Sequence, residues 1–462
     1  MKQLTIFQLE YQQDSSVYFE YFKALPYACF LDSCAENYDG NNSRFDIISA
    51  QPSVMVTVDH HGELLIDNFL DVPLPPISKD SPFDVLSELL ASMSPVRSEE
   101  LPFTGGTLGF WGYELCELLE PEKIVPRQNN TPMMSVGLYH WALITDHETQ
   151  QCSLVFHPDI DAQLQQNILQ QLDKLAPAEE SFQLQKPFES TQSQQQYFDS
   201  FAAIQDYIQA GDCYEVNLTQ EFTAPYSGCS WSAYKKLRQV SPAPYSAYLS
   251  NPHIDILSHS PERFIKVNDR HVETHPIKGT RPRGRTPEED QAYANELLSS
   301  SKDKAENLMI VDLLRNDLGK VCETGSIQVP RLFALESYAN VHHLVSSVTG
   351  TLPEHADVFS LFSNTFPGGS ITGAPKIRSM EIIRELEPAP RSTYCGAIGY
   401  ASCNGNMDTS ITIRTIVAHN NRMHCWGGGA IVSDSDCREE YQESITKVKN
   451  LMTALESLTP FR

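Results

Sequence analysis

The chain has 462 residues, of which 41% are hydrophobic and 20% charged, a composition typical of a globular protein with a large core. Its 59 acidic residues outnumber its 34 basic residues and give a formal net charge of −25. A chain this acidic repels nucleic acids and anionic membrane surfaces, so neither is an expected partner.

The N-terminal region, residues 1–160, alternates between apolar and polar residues in short runs. The run from Ser53 to Val58 is one example, and such alternation is typical of antiparallel strands. Residues 161–195 are rich in Gln, Glu, Ala and Ser, which predicts an exposed helix followed by a linker. Residues 196–460 carry most of the candidate chemistry.

A helix is predicted over Tyr197–Ile208, and Gly211 ends it. The apolar runs that follow predict strands at Tyr214–Leu218, Tyr245–Leu249 and Ile254–Leu257.

Three further helix starts carry capping signals. Thr286 followed by Pro287 is typical of a first helical turn, and Ser301 is the predicted cap of the next helix. Asp434 or Ser435 is the predicted cap of the last helix. Its predicted buried stripe consists of Tyr441, Ile445, Val448, Met452 and Leu455.

The eleven cysteines show no repeated pair spacing, no Cys-x-x-Cys zinc pair and no Gly-x-Cys-x-Gly nucleophile elbow. The first residues lack the long apolar run of a signal peptide, and no run is long enough for a membrane span. We therefore expect reduced thiols and a cytoplasmic protein.

Lys278 lies in a segment rich in proline and arginine, between Pro276 and Arg285. A lysine amine becomes a good nucleophile when burial or neighbouring cations lower its pKa. Arg281 and Arg283 are close in sequence and are the cations that we expect to act on it. A solvated lysine in a basic surface loop is the ordinary interpretation of such a segment.

Two acidic pairs stand three residues apart on predicted helices, Asp303 with Glu306 and Glu440 with Glu443. This spacing puts both carboxylates of a pair on one side of a helix. One such pair alone usually complements the helix dipole. Two pairs that face each other could instead hold Mg²⁺, which prefers oxygen ligands.

Two glycine-rich segments could bind anions through backbone amides. The first, Phe366–Lys376, runs into a helix start and places Ser370, Thr372 and Lys376 near its free N–H groups. The second is the predicted turn 427–430. Ordinary tight turns also use glycine, so each signal alone is weak.

Three single residues are further candidates. Arg414 interrupts an apolar strand pattern and needs an internal carboxylate or an anionic ligand. His343 also lies in a strand pattern, where a satisfied core histidine is more common than a catalyst. Glu262 has Arg263 beside it and could form a mere surface ion pair.

Several segments together resemble the chorismate-utilising enzymes over nearly the whole chain, most densely from Tyr197 to Leu458. The motifs that carry this resemblance are Ser260–Phe264, Pro276–Thr280, Ala305–Met309, Val311–Asp317, Phe366–Lys376 and Met407–Ile411.

The resemblance implies an α+β fold in which two large antiparallel β-sheets pack together with helices on the outside. The N-terminal strands would belong to the same body. It also implies Mg²⁺ bound by Glu306 and Glu443, with Asp303 and Glu440 in support.

The resemblance further implies that chorismate is the substrate. Glu262 and His343 match residues that handle the departing hydroxyl as acid or base. The matching substrate-binding positions are Arg414, Ser370, Gly428, Tyr400, Lys447 and Thr280.

Lys278 separates the branches of this family, because anthranilate synthases usually have alanine at the matching position. The resemblance implies that Lys278 attacks C2 of chorismate while the C4 hydroxyl leaves. Ammonia, supplied by a separate glutamine amidotransferase subunit, then enters at C4 and expels the lysine, which gives 4-amino-4-deoxychorismate. An anthranilate synthase component I and a non-catalytic binding subunit of the same fold remain the alternatives.

Two residues depart from the family pattern. Glu215 stands where the ammonia-using relatives usually have glutamine, and water-using relatives have a lysine there. Ala430 stands where glycine is common. A further set of residues resembles the tryptophan pocket of the family: Ser33, Ser43, Arg44, Phe45, Pro244, Tyr245 and Ser246.

Overall fold

The computed structural model describes residues 3–35, 44–70, 74–76, 81–96, 98, 100–124, 126–127, 130–174, 180–337 and 341–459. Within these ranges the strands are β1 Thr5–Leu9, β2 Cys29–Asp32, β3 Phe45–Ser49, β4 Val54–Val58, β5 Leu64–Asn68, β6 Gly106–Trp111, β7 Met134–Tyr139, β8 Trp141–Asp146, β9 Gln151–Phe156, β10 Phe182–Leu184, β11 Glu189–Ser190, β12 Glu215–Gly228, β13 Tyr245–Ser250, β14 Asp255–Ser260, β15 Arg263–Asn268, β16 His271–Thr274, β17 Ile277–Pro282, β18 Gln328–Ser337, β19 Val341–Thr351, β20 Gly373–Ala374, β21 Ala397–Ser402, β22 Met407–Ile411, β23 Thr415–His419 and β24 Arg422–Ile431.

The helices of the same ranges are α1 Ser16–Phe22, α2 Pro82–Ser92, α3 Cys116–Leu119, α4 Ala162–Leu172, α5 Gln194–Ala210, α6 Ser230–Val240, α7 Pro287–Ser299, α8 Ser301–Gly319, α9 Val358–Thr365, α10 Lys376–Leu386 and α11 Cys437–Glu456. Short 3₁₀ turns cover Tyr113–Leu115 and Gly369–Ile371.

The strands form two large antiparallel sheets. The described strands of the first sheet follow the order β1-β9-β8-β3-β2-β13-β14-β23-β24-β12-β10, and β11 and β20 also pair with β12. Those of the second follow the order β17-β19-β16-β15-β22-β21-β6-β7-β4-β5, and β18 also pairs with β19. This confirms the predicted α+β architecture.

Strands from the N-terminal region lie inside both sheets. In the first sheet β2 pairs with β3 on one side and with β13 on the other. In the second sheet β6 pairs with β7 and with β21. Each sheet is therefore assembled from early and late parts of the chain.

The main core lies between the two sheets and includes Val56 of β4 and Ile256 of β14. The next residue after Ile256, Leu257, belongs to a second cluster with Trp231 of α6 and Leu451 of α11. Successive strand residues point to opposite faces of a sheet, so the first sheet is apolar on both faces. Its outer face is covered by helices.

The predicted helix near Tyr197 is confirmed as α5, and Gly211 follows it with a left-handed φ of 81°. Two predicted caps were wrong. Ser300, not Ser301, caps α8, and Asp436, not Asp434 or Ser435, caps α11. In each case several capping residues are adjacent in sequence. The cap is the one whose side chain accepts a first-turn N–H group: Ser300 accepts from Asp303 N, and Asp436 accepts from Arg438 N and Glu439 N.

The predicted stripe of α11 is partly wrong. Val448, Met452 and Leu455 are buried, but Tyr441 and Ile445 are only half-buried. The prediction of a linker at the end of residues 161–195 is also partly wrong. This segment contains the short strands β10 and β11, which both pair with β12.

All eleven cysteines are free thiols. No helix in the described part of the chain is long and apolar enough to span a bilayer.

Candidate active site

A cavity of about 1190 Å³ brings together segments that are far apart in sequence. Its walls include residues of β12, β17, β19, β24, α8 and α11, of the 3₁₀ turn Gly369–Ile371 and of the connection between β22 and β23. Most of the predicted catalytic, metal and substrate residues line it: Glu262, Lys278, Thr280, Asp303, Glu306, His343, Ser370, Arg414, Gly428, Glu440, Glu443 and Lys447.

A β-bulge sets the direction of Lys278. The register between β17 and β19 shifts between Lys278 and Thr280, at Gly279. Gly279 has a φ of 78°, and a Cβ there would lie 2.8 Å from Leu297 Cδ1 and 2.9 Å from Asp303 Oδ1. Glycine is therefore required for this bulge, which aims neighbouring side chains into the cavity.

Lys278 forms an ion pair with Glu215 instead of standing among cations. Its Nζ lies 2.9 Å from Glu215 Oε1, and the two side chains are 11% and 0% exposed. Burial acts to lower the pKa of Lys278, but Glu215 and Glu306 outweigh it and raise that pKa. The lysine is therefore an ammonium in the free protein.

The predicted lowering of the Lys278 pKa by arginines was wrong, because these arginines have carboxylate partners of their own. Arg281 pairs with Glu296 at 2.7 Å and with Asp303 at 3.1 Å. Arg283 pairs with Asp290 at 2.7 Å.

Glu262 is placed to act as an acid at neutral pH. Its side chain is buried, and Ser370 Oγ donates a hydrogen bond to its Oε1 at 2.8 Å. Burial raises the pKa of Glu262 to about 7, although Ser370 and Lys278 act in the opposite direction. A carboxyl group with such a pKa can donate a proton at physiological pH.

His343 lies beside Thr280, with 3.0 Å between His343 Nδ1 and Thr280 Oγ1. Burial lowers the pKa of His343 to about 4, and Arg414 acts in the same direction. The imidazole is therefore neutral at physiological pH, and its low pKa makes it a weak base.

The two acidic pairs face the same cavity from α8 and α11. Burial raises the pKa of Glu306 to about 6. Burial also acts to raise the pKa of Glu443, but Lys447 at 2.7 Å outweighs it and lowers that pKa. Asp303 is paired with Arg281, and Glu440 accepts a hydrogen bond from Ser435 at 2.7 Å.

The carboxylates of the two acidic pairs fit a metal site in which a ligand completes the coordination of the ion. No group of three or more His, Cys, Asp or Glu side chains with metal-ligand geometry forms among the described residues. A Cβ on Gly429 would lie 3.0 Å from Glu440 Oε2 and 3.7 Å from Glu443 Oε1, so this glycine leaves room for both carboxylates. Mg²⁺ is commonly held by one or two carboxylates together with water and substrate oxygens.

Arg414 is half-buried in the connection that leads from β22 in one sheet to β23 in the other, with a φ of 52°. Its sequence pattern had indicated a position inside a strand, and this prediction was wrong. Its guanidinium makes no hydrogen bond or ion pair with any residue in the described ranges. A half-buried cation without a partner favours an anionic ligand.

The glycine run 427–429 forms part of β24 and is not the predicted turn. A Cβ on Gly427 would lie 2.0 Å from Ser444 O, so the run lets α11 pack directly on the strand. Lys447 of α11 donates to Gly428 O at 3.0 Å.

The segment Phe366–Lys376 contributes less to the cavity than its sequence predicted. Ser370 lines the cavity, but the Thr372 hydroxyl donates to Gly368 O at 3.0 Å. Lys376 forms an ion pair with Asp317 and donates to Thr365 O at 2.7 Å. Neither residue is available for an anion there.

Sequence reasoning missed further residues in the cavity wall, among them Asn217, Tyr394 and Trp426. Asn217 Oδ1 and Trp426 Nε1 are buried and have no hydrogen-bond partner in the described structure. Asn217 alternates with the apolar residues Val216 and Leu218 in β12, and this alternation was the available signal. Nothing in the local pattern marked Trp426 or Tyr394.

Tyr400 lies elsewhere, in a second cavity of about 470 Å³. The predicted tryptophan-pocket residues that line this second cavity are Arg44, Phe45, Pro244, Tyr245 and Ser246. Ser33 instead lines the large cavity and donates to Asp46 Oδ1 at 2.6 Å, and Ser43 lies outside the described residues. Arg263 stacks over Tyr245 at 5.1 Å and pairs with Asp408 at 3.0 Å in the wall of the second cavity.

The family of the chain follows from comparison with known proteins. The family described as chorismate binding enzyme matches residues 33–453, and the chain belongs to it.

Individual relatives show which enzymes of this family the chain resembles. Aminodeoxychorismate synthase component 1 of Escherichia coli (strain K12) is 44% identical over 455 residues, which cover 98% of each chain. Anthranilate synthase component 1 of Synechocystis sp. is 36% identical, over 82% of each chain. The crystal structure of anthranilate synthase component I from Streptococcus pneumoniae superposes with a TM-score of 0.77 at 31% identity, over 90% of this chain and 93% of that one.

Proposed function

We propose that this chain aminates chorismate to 4-amino-4-deoxychorismate, in the route to para-aminobenzoate and folate. The observation that carries the proposal is the buried Lys278 in the wall of a cavity that also holds Arg414, whose guanidinium has no partner among the described residues. The 44% identity to aminodeoxychorismate synthase component 1 over nearly the whole chain supports it.

The residues divide the reaction between them. Arg414 and Lys447 hold the carboxylates of chorismate, and Lys278 Nζ attacks C2. Glu262 gives its proton to the departing C4 hydroxyl, which leaves as water. Ammonia then attacks C4 and the bond to Lys278 breaks, so the amine takes the place of the hydroxyl and the lysine is restored.

Glu306 and Glu443 would hold Mg²⁺ in this proposal, with Asp303 and Glu440 in support. The ion supplies positive charge that binds the ring carboxylate of the substrate. Without it, these carboxylates repel an anionic substrate. Turnover that persists in excess chelator contradicts this assignment.

Ammonia would come from a separate glutamine amidotransferase subunit. The name "component 1" of the relatives and the absence of a nucleophile-elbow cysteine from the sequence support this. The pure chain should use ammonium and not glutamine, and glutamine-dependent turnover by the pure chain would disprove the separate subunit.

The second cavity is the proposed tryptophan site, since Phe45, Tyr245 and Tyr400 give it aromatic walls. Calorimetric titration with tryptophan should show binding that a bulky substitution, Ser246→Phe, removes. Unchanged binding in that variant places tryptophan elsewhere.

One assay separates the proposed function from its alternatives. The pure chain is incubated with chorismate, Mg²⁺ and ammonium, and the products are separated by chromatography. We expect 4-amino-4-deoxychorismate. Anthranilate as the main product would indicate an anthranilate synthase, and no consumption of chorismate would indicate a binding subunit.

The Lys278→Ala variant tests the covalent step. Wild-type protein incubated with chorismate but without ammonia should carry a ring adduct on Lys278, detected by mass spectrometry, and the variant should not. If the variant makes 4-amino-4-deoxychorismate at the wild-type rate, Lys278 is not the nucleophile.

A further inference from the structure

Glu215 is the acidic residue nearest to the proposed nucleophile. Its Oε1 accepts a hydrogen bond from Lys278 Nζ at 2.9 Å. Its side chain is fully buried and is not part of the cavity wall, whereas Lys278 is. The carboxylate therefore lies behind the lysine as seen from the cavity.

The second oxygen of Glu215 is also buried and has no hydrogen-bond partner in the described part of the chain. A proton can therefore reside on this carboxyl group without breaking another contact. An unpaired buried carboxylate oxygen carries a desolvation cost that no hydrogen bond offsets.

The backbone holds Glu215 in place. Glu215 pairs with Ala374 of β20, and Ser379 of α10 donates to the Glu215 carbonyl at 2.9 Å. The distance to Lys278 is therefore set by strand pairing and by a helix start, and not by a flexible loop.

We propose that Glu215 is the base that takes the proton of the Lys278 ammonium group and later returns it. This inference rests on the proposed function. A carboxylate within hydrogen-bond distance of the ammonium can accept its proton directly, without release to solvent.

The proton and electron balance closes over one turnover. The proton moves from Nζ to a carboxylate oxygen of Glu215, and the freed electron pair forms the bond to C2. The ring double bonds shift, the C4–O bond breaks, and the hydroxyl leaves as water with the proton of Glu262. When ammonia has bonded to C4, the C2–N bond breaks and its electron pair returns to Nζ. Nζ regains the proton from Glu215, and the new C4 ammonium returns one to Glu262.

This exchange of one proton between Lys278 and Glu215, the shuttle, determines how the rate of adduct formation depends on pH. Transfer inside the Lys278–Glu215 pair does not change the number of bound protons, so it does not depend on pH. With an amide at position 215, the lysine must release its proton to solvent, and the neutral fraction then rises with pH. The other acidic groups that act on Lys278 are Glu262, Glu306 and Glu443, and they remain in both proteins.

The test compares Glu215→Gln with wild type. The rate of adduct formation on Lys278 is measured without ammonia from pH 5.5 to 9.5 by quenching and mass spectrometry. We expect the ratio of variant to wild-type rate to rise by about 10-fold per pH unit on the acid side and then to level off. Taking the ratio removes the contribution of Glu262.

Two further variants separate this role from a structural one. Glu221→Gln changes another carboxylate of β12, which contacts His424 at 2.7 Å. The ratio of its rate of adduct formation to the wild-type rate should stay constant with pH. Glu215→Asp keeps the carboxylate, so its ratio should also stay constant even if the rate falls.

The outcomes distinguish the two proposals. The proposed role of Glu215 is overturned if the ratio of variant to wild-type rate is constant with pH for Glu215→Gln, or depends on pH for Glu215→Asp. If wild type still forms the adduct in that case, the proposed function stands. If wild type forms neither adduct nor aminated product, the proposed function fails and the shuttle fails with it.

Discussion

Arg414 shows how a single residue can be held in a form suited to a ligand and not to the fold. The guanidinium is half-buried without a partner in the described ranges, and burial lowers its pKa. A buried charge without a partner weakens the folded state, so the fold alone does not account for it.

Replacing Arg414 by methionine should therefore separate binding from stability. We expect KM for chorismate to rise by about 10- to 100-fold, from the loss of a charged hydrogen bond of about 1.5–3 kcal/mol. The melting temperature should stay the same or rise. Arg315→Met, at an exposed arginine of α8, is the control and should leave KM unchanged. An Arg414→Met protein with wild-type KM would show that this residue does not bind substrate.

Glu262 gives a pH prediction with a definite sign. Its pKa of about 7 means that the carboxyl group loses its proton as pH rises through about 7. If it is the proton donor, kcat/KM should fall above that pH, and Glu262→Gln should remove this limb and lower the rate by about 10²- to 10⁴-fold. The pH profile of kcat/KM measures both.

Ser370→Ala tests whether Glu262 causes this fall of kcat/KM with rising pH. The hydrogen bond from Ser370 lowers the pKa of Glu262, so its removal should move the limb to higher pH. A limb that persists in Glu262→Gln would assign it to another group.

At the scale of elements, the bulge at Gly279 joins backbone geometry to the direction of Lys278. Gly279→Ala should cost about 1–2 kcal/mol from the left-handed φ and more from the contact with Leu297 and Asp303. It should also lower kcat, because Lys278 turns away from its present position. Denaturant unfolding and steady-state kinetics give the two numbers.

Gly405→Ala is the control for backbone strain alone. Gly405 has a φ of 88°, and a Cβ there meets nothing within 4 Å. We expect a similar strain cost and unchanged kcat. Equal losses of kcat in both variants would mean that the bulge has no part in the chemistry.

The elements also show what sequence can predict. Helix α5 and its Gly211 end follow from local signals, and so do strands β13 and β14. The glycine run 427–429 was misread as a turn because its cause is the approach of α11, which local sequence does not contain.

The same limit applies to the site. The residue types at the cavity were predictable from motifs, including Lys278 and Glu306. The charge state of Lys278 was not, because Glu215 and Glu306 reach it from β12 and α8, whereas the arginines beside it in sequence pair with other carboxylates.

At the scale of the whole molecule, the shared sheets predict that the N-terminal region cannot be removed. A fragment of residues 180–462 exposes the edges of β13 and β21 that β2 and β6 cover. We expect this fragment to lack cooperative unfolding and near-UV dichroism, and co-expression with residues 1–179 should restore both.

A variant without residues 1–10 is the control for this truncation. It loses only β1, a mostly exposed strand that pairs with β9 at the end of the first sheet. It should stay folded. A cooperative and active 180–462 fragment would instead define a separable domain.

The pairing of Leu31 with Ala247 has a consequence for the synthesis of this chain. A ribosome that adds about 5–20 residues per second needs about 10–40 s to make the roughly 200 residues between them. During that time the edge of β2 that will pair with β13 has no partner strand, although β3 can already cover the other edge. An unpaired strand edge is a template for association with other chains. Slower translation lengthens this exposure, so production of the protein should depend on chaperones that shield the nascent strands until the second half of each sheet arrives.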